Sequence, residues 1–529
     1  MPTTAAPAAA PSSPATEART AEAAAIACLG TGRYLSMEED PATVRSTINL
    51  AVAADGSRFA STHGLGAVRV WDLPSGRHRA TLRGHHRSPW TVRWHPAERD
   101  VLASGCLNNE VRLWRVDSGA CTAVHSFPAP VSGVAFHPAG DVLAVAAGRS
   151  AFLWRYAAPD PTPVEVLQGI HPLHLVEFHP TGELLLVGRK NQLQPTQAGQ
   201  FTLKLDVHRF TRRDGPSGAD VPPGQGDEGR PERQGVMAAD TGGGGDPPGG
   251  MAAWVGPVVL TFPATVAYND AGISISPCGK MLAACIPAAT DEATGNGASV
   301  VQAGGVTSAA PPVHGETRYR IAIISLCASS LGNCIASTPL DEGHTTALTN
   351  LCFSPTSGHL LAGFSFRSNN PYLRSAKDAL VAAVEEVAAQ DDANALPDSP
   401  SGAAVPCVVE PQGATAHVGG DSLDPPASPL PVSGANTAEG SSVARPAPPT
   451  VPIVDIFSMD DGLRRVHRIY AGLRVTGDGD SATLDEINCA VFASQSGADI
   501  AVIYGTTNGR VRVVDGDDQA DPTGASVFP

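Results

Sequence analysis

A chain of 529 residues has room for several domains, yet its 55 glycines and 46 prolines assign much of it to turns and loops, and only 5% of residues are aromatic. Those aromatics cluster in repeat-like segments, so one packed core is expected. A formal net charge of −16 opposes a polyanionic partner, which sets nucleic acid aside, and apolar runs such as Val258 to Phe262 are only strand-length, so no transmembrane segment is expected. The ten cysteines are scattered, without a Cys-x-x-Cys pair or zinc spacing, and no apolar signal segment precedes them. They read as buried thiols of a cytosolic or nuclear protein.

Residues 1–15 are Ala/Pro/Ser/Thr-rich and too poor in large side chains to fold alone. Good helix formers then accumulate from Glu17 to Leu29 before Gly30 stops them, predicting a short helix in a 1–30 tail. From Val68 to Trp114 the chain shows a Val-Arg-Val-Trp-Asp strand end, a short strand, Gly84-His85, an alternating strand ending in His95-Pro96, the strand Val101 to Gly105, and a Val-Arg-Leu-Trp close. Four short strands in roughly forty residues, punctuated by Gly-His and closed by Trp, mark one WD40-type propeller blade. Trp71, Trp114 and Trp154 repeat at that spacing.

Blades one to three follow from Ile48 to Leu167, and blade four opens with His174 to His179 and Glu183 to Gly188. Between Thr211 and Gly250, 18 of 40 residues are Gly or Pro, too little apolar area to offset the ordering entropy. Strand-like Phe201 to Phe210 and Ala253 to Phe262 flank this stretch, placing it between the outer strands of blade four. Blade five restarts at Ile273 and Met281, with its third strand, Tyr319 to Leu326, delayed by the Gly/Ala/Thr-rich stretch 288–315. Blade six starts at Leu351 and Leu360, is interrupted by a stretch without aromatics from Leu373 to Ile456, and resumes at Val451 to Phe457 and Arg464 to Tyr470. Blade seven supplies Ile487 to Phe492, Ile500 to Tyr504 and Arg510 to Val514. Its fourth strand is missing at the C-terminus, and Arg33 to Met37 is predicted to fill the gap and remove the exposed sheet edges. The expected organisation is therefore an all-β, seven-bladed WD40 propeller: tail 1–30, blades in 31–210, 253–366 and 451–516, disordered insertions 211–252 and 367–450, and tail 517–529.

Several pieces resemble one family. Ala60 to His63, Gly84-His-His-Arg-Ser-Pro-Trp90 with His95-Pro96, and Ala103 to Trp114 are similar to the first propeller half of the AMBRA family, the activating molecules in Beclin-regulated autophagy. Tyr268 to Ser276, Leu282 to Pro287, Ile487 to Ala490 and Tyr504 to Gly509 resemble its second half, and a long disordered stretch splits the propeller in both. The resemblance implies a non-enzymatic scaffold: a substrate receptor that a cullin-RING ubiquitin ligase engages through its damage-specific DNA-binding adaptor, and a positive regulator of autophagy. The implied partners are that adaptor, ubiquitination substrates and autophagy initiation factors. The implied location is cytoplasmic, with nuclear or autophagosome-associated pools. The family docks the adaptor with a helix ahead of the propeller, which here points to Ile26 and Leu29. The Trp-Asp-x-Arg sequence of many adaptor-binding propellers is replaced by Trp71-Asp-Leu-Pro74 and Trp114-Arg-Val-Asp117.

Blade two offers His85, Ser104, Asn108 and Trp114 where WD40 blades place a hydrogen-bonded tetrad of imidazole, hydroxyl, side-chain carbonyl and indole N–H. Arg87 and Trp90, in the loop between blades one and two, and Asn109 are candidate partner-binding residues, Arg and Trp being the types that dominate interface energy. His171, His174 and His179 resemble metal ligands only in number, since on a strand His171 and His174 point to opposite faces. Phe210-Thr-Arg-Arg-Asp-Gly215 loosely resembles the Phe-Arg-Arg-Gly of phosphoinositide-binding propellers, giving a membrane-surface alternative. The segment Ala376 to Ala389 places Leu380, Val384 and Val387 on one helical face. Asp478 and Asp480 read as turn residues in a Gly-rich loop. No motif for nucleophilic, phosphate or metal chemistry is found, so no catalytic residue, metal or cofactor is expected.

Overall fold

The computed structural model describes residues 13–30, 33–34, 46–64, 66–73, 75–190, 201–212, 251–267, 272–287, 319–340, 348–365, 452–470, 473–475, 482–484, 486–494 and 500–516. The tail and insertion segments expected at 1–12, 213–250, 288–318, 366–451 and 517–529, with the Ala376 to Ala389 helix and Asp478 and Asp480, lie outside them. Thr211, Arg212, Met251 and Ala252, expected in an insertion, are instead part of blade four: Met251–Trp254 is a 3-10 turn, and Thr211 N–H donates to Trp254 O at 2.9 Å.

The described strands form seven four-stranded antiparallel sheets arranged as a WD40-type propeller. Blade one comprises Thr47–Val52, Arg58–His63, Ala67–Asp72 and His78–Arg83, running from the innermost strand outward. Blades two and three repeat this order from Pro89–Trp94 to Ala120–Ser126 and from Val131–Phe136 to Val164–Gln168. In blade four, Phe201–Phe210 and Val255–Ala267 are the third and fourth strands, so segment 213–250 joins the outer strands as the sequence predicts. Blade five gains an outer strand, Cys334–Pro339, that the sequence pattern does not mark. A hairpin of Leu473–Val475 and Ala482–Leu484 is likewise absent from the sequence expectation.

The ring closes as expected. Arg33–Tyr34 pairs antiparallel with Val511–Val514, Arg33 lying opposite Val513 and Tyr34 opposite Arg512. Each wall between blades is apolar: Phe59 and Trp71 of blade one meet Ile503, Val511 and Val513 of blade seven, while Val68, Val70 and Leu82 meet Val92, Leu102 and Trp114 of blade two. Trp71, Trp114 and Trp154 are all buried, which is why the tryptophan period is legible.

A second set of contacts links the lower turns, those joining each blade's first strand to its second. The His95 ring donates from Nε2 to Gly140 O of blade three at 2.9 Å, and His179 Nε2 meets Gly279 O of blade five at 2.6 Å. His137 makes the same bond to Gly182 of blade four. The opposite nitrogen, Nδ1, accepts a turn N–H in each ring: Glu98 at 2.8 Å, Ala139 at 3.1 Å and Thr181 at 3.2 Å. Both nitrogens are therefore used, and the proton sits on Nε2 of a neutral ring. The receiving glycines have φ of 83°, 78° and 71°, and a Cβ on any of them would lie within 2.7 Å of the imidazole.

The series stops at blade five, where Ser276 stands at the histidine position, and blade six carries Ser354 there. Its turn is occupied by the N-terminal helix α1, Pro14–Ala27, capped by Ser13. Glu22 of α1 is 0% exposed and accepts from Ser354 Oγ at 2.6 Å, Thr356 Oγ1 at 2.7 Å, Thr356 N at 3.1 Å and His359 Nδ1 at 2.8 Å. Arg19 pairs with Asp460 at 2.9 Å, and Gly30 N–H donates to Asp515 O at 3.0 Å. Ile26 and Leu29, expected as adaptor anchors, are 1% and 7% exposed in the core shared by blades five to seven. That expectation is corrected: the helix has one apolar edge, and its own propeller covers it.

The reading of the cysteines as buried also needs correction, since Cys28, Cys121, Cys278 and Cys334 are exposed while Cys106, Cys285 and Cys489 are buried.

Burial pushes the Glu22 carboxyl up, but hydrogen bonds from His359, Ser354 and Thr356 outweigh it and hold the carboxyl below its ordinary value of 4.5. A depressed folded-state value stabilises above the unfolded value and is lost as pH falls through the folded one, so α1 should stay docked at neutral pH and loosen only in acid below about 4.5. Glu22→Ala should cost about 1–3 kcal/mol and expose residues 14–27 to hydrogen exchange at neutral pH. Gly182→Ala should cost about 1–2 kcal/mol from backbone strain alone, measured by urea unfolding.

Candidate interaction face

Two kinds of connection define the upper face: the loops from one blade's outer strand to the next blade's inner strand, and the turns between second and third strands. The loop at 84–89 is clamped. Ser88 Oγ donates to Gly64 O of blade one at 2.7 Å, and Leu107 N–H of blade two donates to Ser88 O at 3.3 Å. This fixes His86 and Arg87, both exposed, on the rim. Trp90 is half-buried at the start of the inner strand, where the pairing register slips between Pro89 and Thr91.

Beneath the loop, Trp114 Nε1 donates to Ser104 Oγ at 2.8 Å, and Ser104 Oγ meets His85 Nε2 at 2.6 Å. Three of the four expected tetrad residues are thus brought together. Asn108 is not among them: it is exposed, no hydrogen bond joins it to the others among the described residues, and His85 Nδ1 is buried without a partner. The turn Leu107-Asn108-Asn109 gives the reason. Asn109 adopts φ 66°, the conformation that Gly66 and Gly509 take in the same turn of blades one and seven, and its carbonyl accepts Phe127 N–H at 2.7 Å. Asparagine tolerates this left-handed backbone, so Asn109 is a turn former whose fixed geometry turns Asn108 outward.

Blade one contains a matching network that the sequence reading misses. Trp71 Nε1 donates to Ser61 Oγ at 2.9 Å, and Ser61 Oγ meets His63 Nε2 at 2.9 Å. Here the imidazole comes from the same strand as the serine. The legible signal is the ten-residue Ser-to-Trp spacing shared by both blades. Burial, and then the nearby Arg69, drives the His63 imidazole down to about 3, and burial with Arg112 and His86 does the same to His85. Both rings are therefore neutral over the physiological range.

His85, Cys106 and Glu110 bring potential ligand atoms within 4.8 Å of one another. The Glu110 carboxylate is already held by Arg112, Nη2 to Oε2 at 3.0 Å, which puts positive charge where a cation would sit. Of the trio His171, His174 and His179, the last serves the lower-turn series. Arg212, part of the phosphoinositide-like motif, is committed to Asp141 at 2.7 Å and stacks over Trp254, while Arg213 lies outside the described residues. On the lower face, Arg58 and Arg79 both pair with Asp117 at 3.0 Å, beside a polar cleft of about 330 Å³.

The model of the family described as "WD domain, G-beta repeat" matches residues 76–115 and 121–155, within blades one to three. Activating molecule in BECN1-regulated autophagy protein 1A of Danio rerio is 34% identical over 154 residues, 29% of this chain and 12% of that protein. Protein 1B of the same fish is 33% identical over 154 residues, 29% of this chain and 11% of its own length. The chain is similar in part to these AMBRA proteins, on a WD40-type propeller fold. The matched stretch thus spans about an eighth or less of those relatives. Eukaryotic translation initiation factor 3 subunit I of Aspergillus fumigatus is 37% identical over 117 residues, 22% of this chain and 34% of that one. Among solved structures, the β-propeller domain of Myceliophteria thermophila Cps50 (Swd1) aligns with 91% of this chain and 99% of its own at 12% identity, with a TM-score of 0.46.

The two depressed imidazoles give a stability signature. The unfolded chain takes up protons near the ordinary value of 6.5 while the folded rings resist until about 3, so their contribution falls as pH drops below 6.5. Glu177, pushed up to about 7 by burial against the pull of Arg93, works in the opposite sense. The comparison is therefore made against a variant. His63→Asn with His85→Asn should flatten the loss of melting temperature between neutral pH and about pH 5, and an unchanged slope would refute neutral burial of the rings.

Proposed function

We propose that this protein is a non-enzymatic scaffold of AMBRA type: a substrate receptor that a cullin-RING ubiquitin ligase engages through its damage-specific DNA-binding adaptor, acting in the cytoplasm in the initiation of autophagy. The observation that carries the reading is the likeness to the two Danio rerio autophagy proteins over 154 residues. The clamped loop bearing Arg87 and Trp90 presents the residue types of a binding hot spot on a platform that needs no reordering. Proteins are the expected ligands, and no cofactor is part of the proposal.

Adaptor docking is assigned to the outward side of α1 in place of Ile26 and Leu29. Thr20, Ala23, Ala24 and Ala27 are exposed there while Glu22 anchors the opposite side. A flat alanine surface admits close approach of a partner backbone, and the docked helix loses no ordering entropy on binding. Pull-down with the adaptor tests this directly. Ala24→Arg with Ala27→Arg should abolish recovery while leaving the melting temperature unchanged, and undiminished recovery would dismiss α1 as the docking element.

A further inference from the structure

We infer that the upper face over blades one to four binds an extended acidic peptide segment of a partner protein. The inference rests on the reading of this face as the one that captures partners, and it names the chemistry of what is captured.

Charge is segregated between the two faces of these blades. In an acidic chain, the described loops and turns of this face carry exposed His86 and Arg87 between blades one and two and exposed Arg149 in the blade-three turn. Neither arginine has a carboxylate partner among the described residues. The acids that do occur there are already bonded: Glu110 holds Arg112 at 3.0 Å, and Glu165 Oε1 accepts from Ser150 Oγ at 3.1 Å. The lower face of the same blades differs, with its acids set beside arginines, as in Arg58–Asp117 at 3.0 Å, Arg115–Glu98 at 2.9 Å and Arg99–Asp55 at 3.5 Å. One side is internally neutralised and the other is left positive.

The shape of the apolar surface selects the partner class. Ile170, in the loop between blades three and four, is 82% exposed, the most exposed of the large apolar side chains described. Its loop is held from below, since the Arg189 guanidinium lies against Gly169. Half-buried Trp90 stands at the other loop. Isolated apolar points separated by cations fit a peptide that carries acids with an occasional aliphatic side chain. They do not form the continuous apolar area that a lipid interface would bury, nor the row of stacking aromatics that a single-stranded nucleic acid would use. Arginine forks suit carboxylates, which they can hold through two parallel hydrogen bonds.

The test uses the full chain and a fluorescent Asp/Glu-rich peptide carrying one leucine, followed by polarisation at low and raised salt. Binding should be salt-sensitive and weaken roughly tenfold or more in Arg87→Glu with Arg149→Glu. Ile170→Asp should weaken it as well, whereas Arg99→Glu on the lower face should leave it unchanged. The Gln-substituted peptide should not bind. Absence of binding at low salt, or an equal loss in the Arg99→Glu protein, would overturn the inference. So would arginine-dependent binding of phosphoinositide vesicles or oligouridylate without peptide binding. Adaptor recovery by α1 is read in a separate assay, so failure here leaves that proposal standing and failure there leaves this one intact.

Discussion

The structure depends on links between successive lower turns, which the described residues show from blade two to blade six. An imidazole with both nitrogens committed, one to its own turn and one to the neighbouring carbonyl, fixes the angle between two blades, and His95 and His137 also pack edge-on against Phe136 and Phe178 of the next blade. Such bonds are each worth only about 0.5–1.5 kcal/mol net, but they act at the rim, where a small rotation would open the wedge of side chains between blades. The series runs from His95 through His137 to His179 and then changes its chemistry. From blade five to blade six the link is Cys278 N–H to Ser357 Oγ at 3.2 Å, and at blade six the carboxylate of Glu22 enters from outside the repeat. A charged acceptor makes stronger bonds than a neutral one, and Glu22 takes four of them. A sector without a histidine link is therefore braced by the segment that also supplies the closing strand.

Closure explains why so interrupted a chain can hold one fold. The three long interruptions fall between strands of a single blade, in blades four, five and six, and never between an inner strand and its second strand. The entropic cost of a loop grows only with the logarithm of its length, about 0.6 kcal/mol per doubling, so a connection several-fold longer than a hairpin turn costs a few kcal/mol at most. The sheet offsets this cost locally. In blade six, Leu360 opposite Phe457 and Leu361 opposite Ile456 keep full register across the break, and all four side chains are buried. A slipped register would turn that apolar set outward.

Most of the fold is legible in the sequence because its signal is periodic. Tryptophans at blade spacing in blades one to three, His-Pro turns in blades two to four and alternating inner strands mark recurring physical necessities, and the need to satisfy an open edge is enough to locate Arg33–Tyr34. The outer strand Cys334–Pro339 escapes notice because an outer strand faces solvent on one side and carries little apolar pattern. The candidate site is legible only in part. His85, Ser104 and Trp114 follow from motif position, but Asn108 is misplaced because the neighbouring Asn109 takes the left-handed backbone, a fact of φ that residue type alone does not encode. Ile26 and Leu29 are anchors, as expected, but on a different surface. A helix with two large apolar side chains satisfies them on whichever apolar surface is nearest, and the one tethered to it by a few residues wins by effective concentration.

Net charge is the least informative number in the sequence. Screening at physiological ionic strength limits exposed charges to a range of about 8 Å, so a docking segment senses the residues it touches and hardly feels the sum over the chain. Of the 52 acids in the chain only 19 belong to the described residues, which carry 27 lysines and arginines, and in the blades those acids lie largely on the lower turns, where arginines answer them across short distances. The upper loops hold arginines that nothing described there answers. Charge in this propeller is a property of each face, and the division arises because the two faces are built from different connections. Lower turns carry acids beside arginines that neutralise them, whereas upper loops are clamped by backbone carbonyls and a serine hydroxyl, which leaves their side chains available to a ligand.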